Sequence, residues 1–501
     1  MSDNLFDRFR DQITDLNAPV AISAAGDVMS YGDLIARSGQ MAAALVGLGV
    51  KPDDRVTVQV EKSLDALVLY LATLRAGAIF MPLNTAYTTA EVDYFLQDAR
   101  PRLFICDPAR ADDLAAIGAQ AGARIVTLDA GGQGSLIEAS QSYSSDFQTI
   151  ARGCDDLAAL LYTSGTTGRS KGAMLSHGNL ISNALTLREA WHYEPKDVLI
   201  HALPIFHTHG LFVACNVTLF SGASMHFLPK FDADAVLDRL SKATVLMGVP
   251  TFYVRLLEEA RLTAALCSGI RLFISGSAPL LSETHKRWQE RTGHAILERY
   301  GMTETNMNSS NPYEAARIAG TVGLPLAGIE IIITDPASGA PLPQGDIGMI
   351  EIRGPNVFKG YWGMPEKTAA ELRENGFFIS GDLGRFDAQG YLHIVGRGKD
   401  LIITGGYNVY PKEVETKIDA MEGVEESAVF GLPDTYFGEA VTAVVVAKTG
   451  ADLSEDQIMA HLRQRLAKFK QPKRIVFLQN LPRNTMGKVQ KNLLRQMFAE
   501  T

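Results

Sequence analysis

From Ser30 to Cys106 the chain switches repeatedly between the helical and the extended hydrophobic period, and this alternation restricts the fold more than any other feature. Ser30 is placed to cap a helix, with Asp33 three positions on; Leu34, Met41, Leu45 and Leu48 then recur at helical spacing until Gly49. Residues 56–60 form a short β-rich run, 63–75 read as a second helix ended near Gly77, and 78–83 and 102–106 read as further strands. Strands joined through helices pair in parallel, because the crossover returns the chain to the same end of the sheet. The pattern recurs between 196 and 280, with strands expected at 224–228, 244–248 and 271–275. After about residue 320 it changes. Segments 329–334, 348–353 and 391–395 are extended, with Gly, Pro and Asp turns between them. From Leu401 the mixture returns: 439–448 is a long β-branched strand, Ser454 caps a helix to about 468, and 474–478 closes the pattern. Glycines and charges at 396–400 interrupt two apolar runs and mark a boundary. The fold expected is α/β. A large N-terminal domain, residues 1–396, combines βα-layered subdomains with a β-rich subdomain, and a small α+β C-terminal domain follows at 397–501.

A chain of 501 residues exceeds what one core supports, since single cores stop growing near ~250–300 residues. Its net charge of -9 argues against a nucleic-acid or anionic-membrane surface. Positive charge for an anionic substrate must therefore be concentrated locally. Cys106, Cys154, Cys215 and Cys267 form no CxxC pair and have no histidines at ligand spacing, so they read as reduced, mostly buried thiols. The N-terminus is charged and lacks an apolar signal core. No apolar run approaches the ~18 residues that cross a bilayer. The chain reads as cytoplasmic, without a membrane or nucleic-acid partner.

Four segments carry chemistry. The first follows the apolar run 157–161 and reads Tyr162-Thr163-Ser164-Gly165-Thr166-Thr167-Gly168-Arg169-Ser170-Lys171-Gly172. Glycines let backbone N–H groups converge on an anion, hydroxyls add donors, and Lys171 adds charge, all of which suits a polyphosphate. The spacing is not that of a P-loop, because Ser170 precedes Lys171 and Gly172 follows it. By composition alone the segment is equally a flexible surface loop. The second, Glu298-Arg299-Tyr300-Gly301-Met302-Thr303-Glu304, offers an aromatic ring, a hydroxyl and one carboxylate. One carboxylate plus nucleotide phosphates is a common Mg²⁺ arrangement. The third is Ser380-Gly381-Asp382-Leu383-Gly384 with Gly396-Arg397-Gly398-Lys399-Asp400, whose acid can accept ribose hydroxyls. The fourth is Asn484-Thr485-Met486-Gly487-Lys488. Each of the last three, taken singly, reads more readily as a solvated turn.

Taken together and in order, these segments make the chain resemble, over essentially its whole length, the acyl-adenylate-forming superfamily of acyl-CoA synthetases, peptide-synthetase adenylation domains and firefly-type luciferases. The resemblance implies ATP and CoA as co-substrates, Mg²⁺ as metal, and a C-terminal domain that rotates between two half-reactions. It also implies roles. Thr163, Ser164, Gly165, Thr166, Thr167 and Lys171 would cradle the β- and γ-phosphates, Thr303 the α-phosphate, and Glu304 the metal. Gly276, Ser277, Glu298, Arg299 and Tyr300 would line the adenine pocket, and Asp382 and Arg397 would bind the ribose. Lys488 would bridge the substrate carboxylate and the α-phosphate, with Lys399 at the hinge. Gly405, Gly406 and Tyr407 would line the pantetheine tunnel, and His207, in Pro204-Ile205-Phe206-His207-Thr208-His209-Gly210, would gate or floor the acyl pocket. Reversible acetylation of Lys488 by a lysine acetyltransferase would remove its charge.

The acid is read from Met247–Leu257. Pro250 suits a first helical turn, which puts Arg255 in the second turn among apolar residues. This segment is similar to that of malonyl-CoA synthetases. An arginine fork facing the pocket pairs with a second carboxylate, and Ser277 and His207 add hydrogen bonds, so malonate or methylmalonate is the expected acid. Alternatively, Arg255 extends to solvent or pairs with a protein acid such as Glu258 or Glu259. Two rival readings share every ATP motif: a synthetase for a neutral short- or medium-chain or aryl acid, and an adenylating enzyme that passes its acyl group to a carrier protein in trans.

Overall fold

A computed structural model describes residues 2–163, 170–405, 407–484 and 487–499. The helix expected after Ser30 runs over Tyr31–Gly47. Its cap is reciprocal: the Ser30 hydroxyl accepts from the Asp33 N–H, and the Asp33 carboxylate accepts from the Ser30 N–H, each at 3.0 Å. The helix Leu64–Arg75, capped by Ser63, is buried on nearly every side, as its continuous apolar sequence requires.

These helices share one core with two sheets. The first has six strands in the order Arg124–Thr127, Leu103–Cys106, Arg55–Gln59, Ile79–Pro82, Leu157–Thr163, Lys171–Ser176, all parallel except the last pair. The second has nine strands. Its parallel centre runs Leu297–Met302, Leu272–Ser275, Val245–Gly248, Val198–His201, Ser224–Phe227, Pro19–Ser23. Antiparallel strands Asn306–Ser310, Leu324–Pro325 and Val28–Ser30 close its edges. Most of the central strands are buried along their whole length, which is why they read as unbroken apolar runs. The β-rich region forms a four-stranded antiparallel sheet, Glu330–Thr334, Gly348–Arg353, Phe378–Phe386 and Leu392–Arg397, packed on the same core.

The next strand, Ile402–Thr404, belongs to a different sheet, completed by Tyr407–Val409, Val424–Asp434, Gly438–Ala447 and Arg474–Phe477. Two apolar clusters serve this sheet, and neither contains a residue before Ile402. The result is a large N-terminal domain and a small C-terminal one. The helix capped by Ser454 ends at Arg463 rather than near 468; the chain passes instead into a short turn at Lys468–Lys470. Cys106, Cys215 and Cys267 are buried, Cys154 is exposed, and all four are free. Among the described residues no helix is long and apolar enough to cross a membrane.

One ion pair joins the strands of the second sheet. Asp197 is fully buried and accepts from Arg271 Nε at 2.8 Å and Nη2 at 2.5 Å, from Thr244 Oγ1 at 2.7 Å and from the Glu194 N–H at 2.9 Å. Burial pushes its carboxyl up, but the donors from Arg271 and Thr244 outweigh it and hold the group below its ordinary value. Removing one partner of such a pair leaves an uncompensated buried charge. Asp197→Ala is expected to destabilise the large domain by about 3–5 kcal/mol, read as a fall in the apparent melting temperature; an unchanged melting curve would contradict this account.

Candidate functional site

In open α/β sheets ligands bind beyond the carboxyl ends of the strands. Here the strands Leu272–Ser275 and Leu297–Met302 pair in parallel with Ser275 opposite Glu298, which brings Gly276 beside Arg299. A Cβ on Gly276 would collide with the Arg299 guanidinium, so glycine is required where the arginine crosses. Ser277 follows with φ of 71°, a left-handed conformation unusual for a residue with a side chain. It holds the Ser277 Oγ 3.2 Å from Nδ1 of His209. Arg299 is only 3% exposed, and its Nε and Nη2 are buried without a hydrogen-bond partner among the described residues. Burial pushes this guanidinium down to about 9.

His207 and His209 face the same space. Burial, and then the charges of Lys488 and Arg299, push His207 down to about 3. Burial, and then Arg299, hold His209 well below its ordinary value. Among the described residues His207 Nδ1 and His209 Nε2 also lack partners. The pocket therefore combines a desolvated cation, a hydroxyl and two neutral imidazoles with open hydrogen-bonding positions. That set accepts an anion.

The expectation that Glu298, Arg299 and Tyr300 line one pocket is corrected by strand alternation. Glu298 Oε1 lies 3.3 Å from His285 Nδ1 and accepts from the Gly320 N–H at 3.3 Å. The Tyr300 hydroxyl donates to Asp382 at 2.6 Å. The Arg299 side chain leaves the strand on the other side, toward Gly276 and the histidines.

Two further clusters complete the site. Asp382 and Arg397 are cross-strand neighbours, and Arg397 Nε lies 2.9 Å from the buried Asp382 carboxylate. The Tyr361 hydroxyl lies 3.0 Å from Glu304 and 2.6 Å from Glu371, and accepts from the Lys171 ammonium at 3.1 Å. Lys171 also pairs with Glu371 at 3.2 Å. A phenol has one proton, so Tyr361 serves one carboxylate at a time. Burial raises the Glu304 carboxyl. Thr303 is half-buried beside it, and Thr163 ends its strand next to Lys171. Ser164, Gly165, Thr166 and Thr167 lie outside the described residues.

Lys488 enters from the C-terminal domain. Its side chain reaches solvent but is ringed by protein, as at the floor of an open cleft. Burial, and then Arg397, lower its ammonium, opposed by Asp382 and Glu304, and no hydrogen bond engages it among the described residues. Lys399 lies in the turn Gly398–Asp400 between the two domains' sheets, where Asp400 pairs with Arg495 at 2.8 Å. Tyr407 is 59% exposed and stacks on Phe469, and Gly405 donates its N–H to the Phe437 carbonyl at 2.8 Å. Gly406 lies outside the described residues.

The placement of Arg255 is a second correction. It lies on the exposed side of the helix Pro250–Leu257, with its guanidinium 4.7 Å from the Phe231 ring centroid. The apolar neighbours that suggested a pocket are the buried residues Tyr253, Leu256 and Leu257, which occupy the other face. Sequence reasoning also passed over His209, Tyr361 and Glu371. His209 carried a signal, two positions from His207; Tyr361 and Glu371 carried none, because only folding brings them to Glu304 and Lys171.

A family model described as AMP-binding enzyme matches residues 9–362, and one described as AMP-binding enzyme C-terminal domain matches residues 413–488. The ATP-bound crystal structure of MatB from Rhodopseudomonas palustris is 61% identical and superposes with a TM-score of 0.98, covering 100% of this chain and 99% of that one. The apo crystal structure of the same protein superposes at 0.89. A feruloyl-CoA synthase from an Amycolatopsis species is 37% identical over 95% of this chain and 96% of its own length. A malonate–CoA ligase from Arabidopsis thaliana is 33% identical over 95% and 86%.

The histidine environment is directly measurable. A folded value lowered from 6.5 to about 3 keeps His207 neutral until pH falls far below its unfolded value. Carbon-13 histidine resonances of His207 and His209, assigned with His207→Asn and His209→Asn, are expected to stay at neutral-imidazole positions from about pH 8 to about pH 5. Midpoints near the ordinary histidine value would refute the desolvated pocket.

Proposed function

The chain belongs to the AMP-binding enzyme family, and on that premise we propose that it is an AMP-forming acid–thiol ligase making malonyl-CoA from malonate, CoA and ATP. The observation that carries the choice of acid is the Arg299 guanidinium, buried with two nitrogens unpartnered among the described residues, beside Ser277 and two neutral histidines. A buried cation without a counter-ion is costly, and a ligand carboxylate met by a guanidinium fork removes the cost. Malonate has a carboxylate to spare after the other has reacted. Neutral imidazoles at His207 and His209 supply hydrogen bonds without competing for the charge. The malonate–CoA ligases among the relatives support the same acid. Methylmalonate is the nearest alternative. A neutral aryl or aliphatic acid would leave Arg299 unpaired.

The reaction joins two anions, so charge must be neutralised before it starts. A carboxylate oxygen attacks the α-phosphorus of ATP, and pyrophosphate leaves. The thiol of CoA then attacks the carbonyl of the acyl-adenylate and loses its proton, and AMP leaves. Lys488, with its open ammonium near Asp382, Glu304 and Arg299, sets positive charge where the carboxylate meets the phosphate. Asp382 and Arg397 hold the ribose, with Tyr300 orienting Asp382. Gly276 and Glu298 bound the adenine. Thr163, Ser164, Gly165, Thr166, Thr167 and Lys171 cradle the terminal phosphates, and Thr303 meets the α-phosphate. Among the described residues no cluster of three or more metal-ligating side chains exists. The single buried carboxylate of Glu304 fits Mg²⁺ held mainly by phosphate and water, and the metal would screen phosphate charge there. The boundary expected at 396/397 falls slightly later, because Arg397 ends a strand of the large domain's sheet beside Asp382; the residues after Lys399 move as a unit between the half-reactions, exchanging Lys488 for the Gly405, Gly406 and Tyr407 face. The accessible Lys488 is also where a lysine acetyltransferase would silence adenylation.

The test is an acid panel of malonate, methylmalonate, acetate, butyrate and benzoate with ATP, Mg²⁺ and CoA. Malonate is expected to give the highest kcat/KM. Arg299→Met should lower that value by at least ~100-fold, as for a buried charge pair losing one partner. Arg255→Ala should change it by no more than about twofold, as for an exposed charge. Preference for butyrate or benzoate, or equal losses in the two variants, would overturn this reading.

A further inference from the structure

A second lysine is buried in the large domain, away from the cleft, and no carboxylate pairs with it among the described residues. Lys62 follows the strand Arg55–Gln59 of the six-stranded sheet, yet its ammonium crosses to the nine-stranded sheet. There it donates to His201 Nδ1 at 2.8 Å, to the His201 carbonyl at 2.8 Å and to the Leu203 carbonyl at 2.9 Å. Three acceptors use all three protons of an ammonium. The charge also lies 4.3 Å from the Phe227 ring centroid. The His201 tautomer follows: Nε2 lies 2.8 Å from the Gly210 carbonyl and so carries the proton, which leaves Nδ1 to accept from Lys62. Cys215 Sγ sits 3.3 Å from the same Nε2.

These contacts grip one loop at both ends. His201 ends the strand Val198–His201, and Gly210 lies at the start of the π-helical segment His209–Cys215. Single π-helical turns cost stability and cluster at functional sites. Between them runs the segment that carries His207 and leads directly into His209. It folds so closely back that a Cβ on Gly210 would collide with the Pro204 carbonyl. Lys62 binds the near end through two carbonyls and the far end through the His201 imidazole. Burial pushes the Lys62 amine down to about 7, holds His201 well below its ordinary value and pushes the Cys215 thiol up to about 12.

We propose that Lys62 is a positioning residue for the acid pocket, a strut between the two sheets that sets His207 and His209 without touching substrate. The proposal rests on the reading that these histidines line the acid site. It does not depend on which acid is bound, so the experiment uses whichever acid the unmodified enzyme turns over best.

Lys62→Met keeps the length and removes the donors. It is expected to raise KM for the acid by ~10-fold or more, the scale of the buried Leu203 carbonyl and the His201 imidazole losing their partner, while the His201 carbonyl keeps the Leu228 N–H. The KM for ATP should stay within about twofold, since the ATP-site groups hang on other loops. His201→Gln, which keeps the two carbonyl contacts, should shift the acid KM in the same direction by less. If Lys62→Met cannot be purified folded, His201→Gln decides alone. An unchanged acid KM, or acid and ATP KM values rising together, would overturn the proposal in either variant.

Discussion

Positive charge held out of water without a protein carboxylate to neutralise it is the constraint around which this molecule is arranged. The chain as a whole is acidic, with a net charge of -9. At the cleft the balance is reversed locally. Among the described residues, Arg299 has buried donors with nothing to receive them, while the Lys488 ammonium, which reaches solvent, stands among groups of both signs without a hydrogen bond. A folded protein tolerates such groups only where their cost is met elsewhere or removed by a ligand. Neutral histidines are the complement of that arrangement. Were His207 or His209 to carry a proton, the pocket would hold still more unpaired charge, and burial prevents it.

The fold delivers these groups through two sheets and a separate small domain. Arg299 and Tyr300 are neighbours in one strand, but alternation sends the first toward the histidines and the second to Asp382. One strand thereby serves two compartments, an anion pocket and an acid–arginine pair. Lys62 answers a different need. The loop bearing His207 bridges a strand and a π-helical turn, held at one end by the neighbouring strands and at the other by Ser277 on His209. An ammonium from the other sheet adds a lateral tie and makes the position of the pocket depend on the packing of both sheets.

Much of this architecture was legible in the residues. Ser30 and Asp33 announced a capped helix because capping is local chemistry between residues three apart. The parallel strands were legible because burial on both faces leaves an unbroken apolar run. The segments with Lys171, Glu304, Asp382 and Lys488 were recognisable by order and spacing. In the acid pocket, Ser277 and His207 were singled out but the arginine was not the one the fold places beside them. Arg255 sits among apolar residues in sequence, but on a helix those neighbours face inward while the arginine faces out onto Phe231. Arg299 was assigned with its strand neighbours, although adjacent residues in a strand point to opposite sides.

The sequence by itself determined the alternation of helices and strands, the division into a large and a small domain, and the set of loops able to handle a nucleotide, because each depends on residues close together in the chain. Only the tertiary structure decided which arginine is left without a partner, which histidines lose their charge, and that Tyr361 meets Glu304 and Lys62 meets His201. Desolvation and hydrogen-bond satisfaction depend on everything that surrounds a group in space, and those neighbours come from distant parts of the chain.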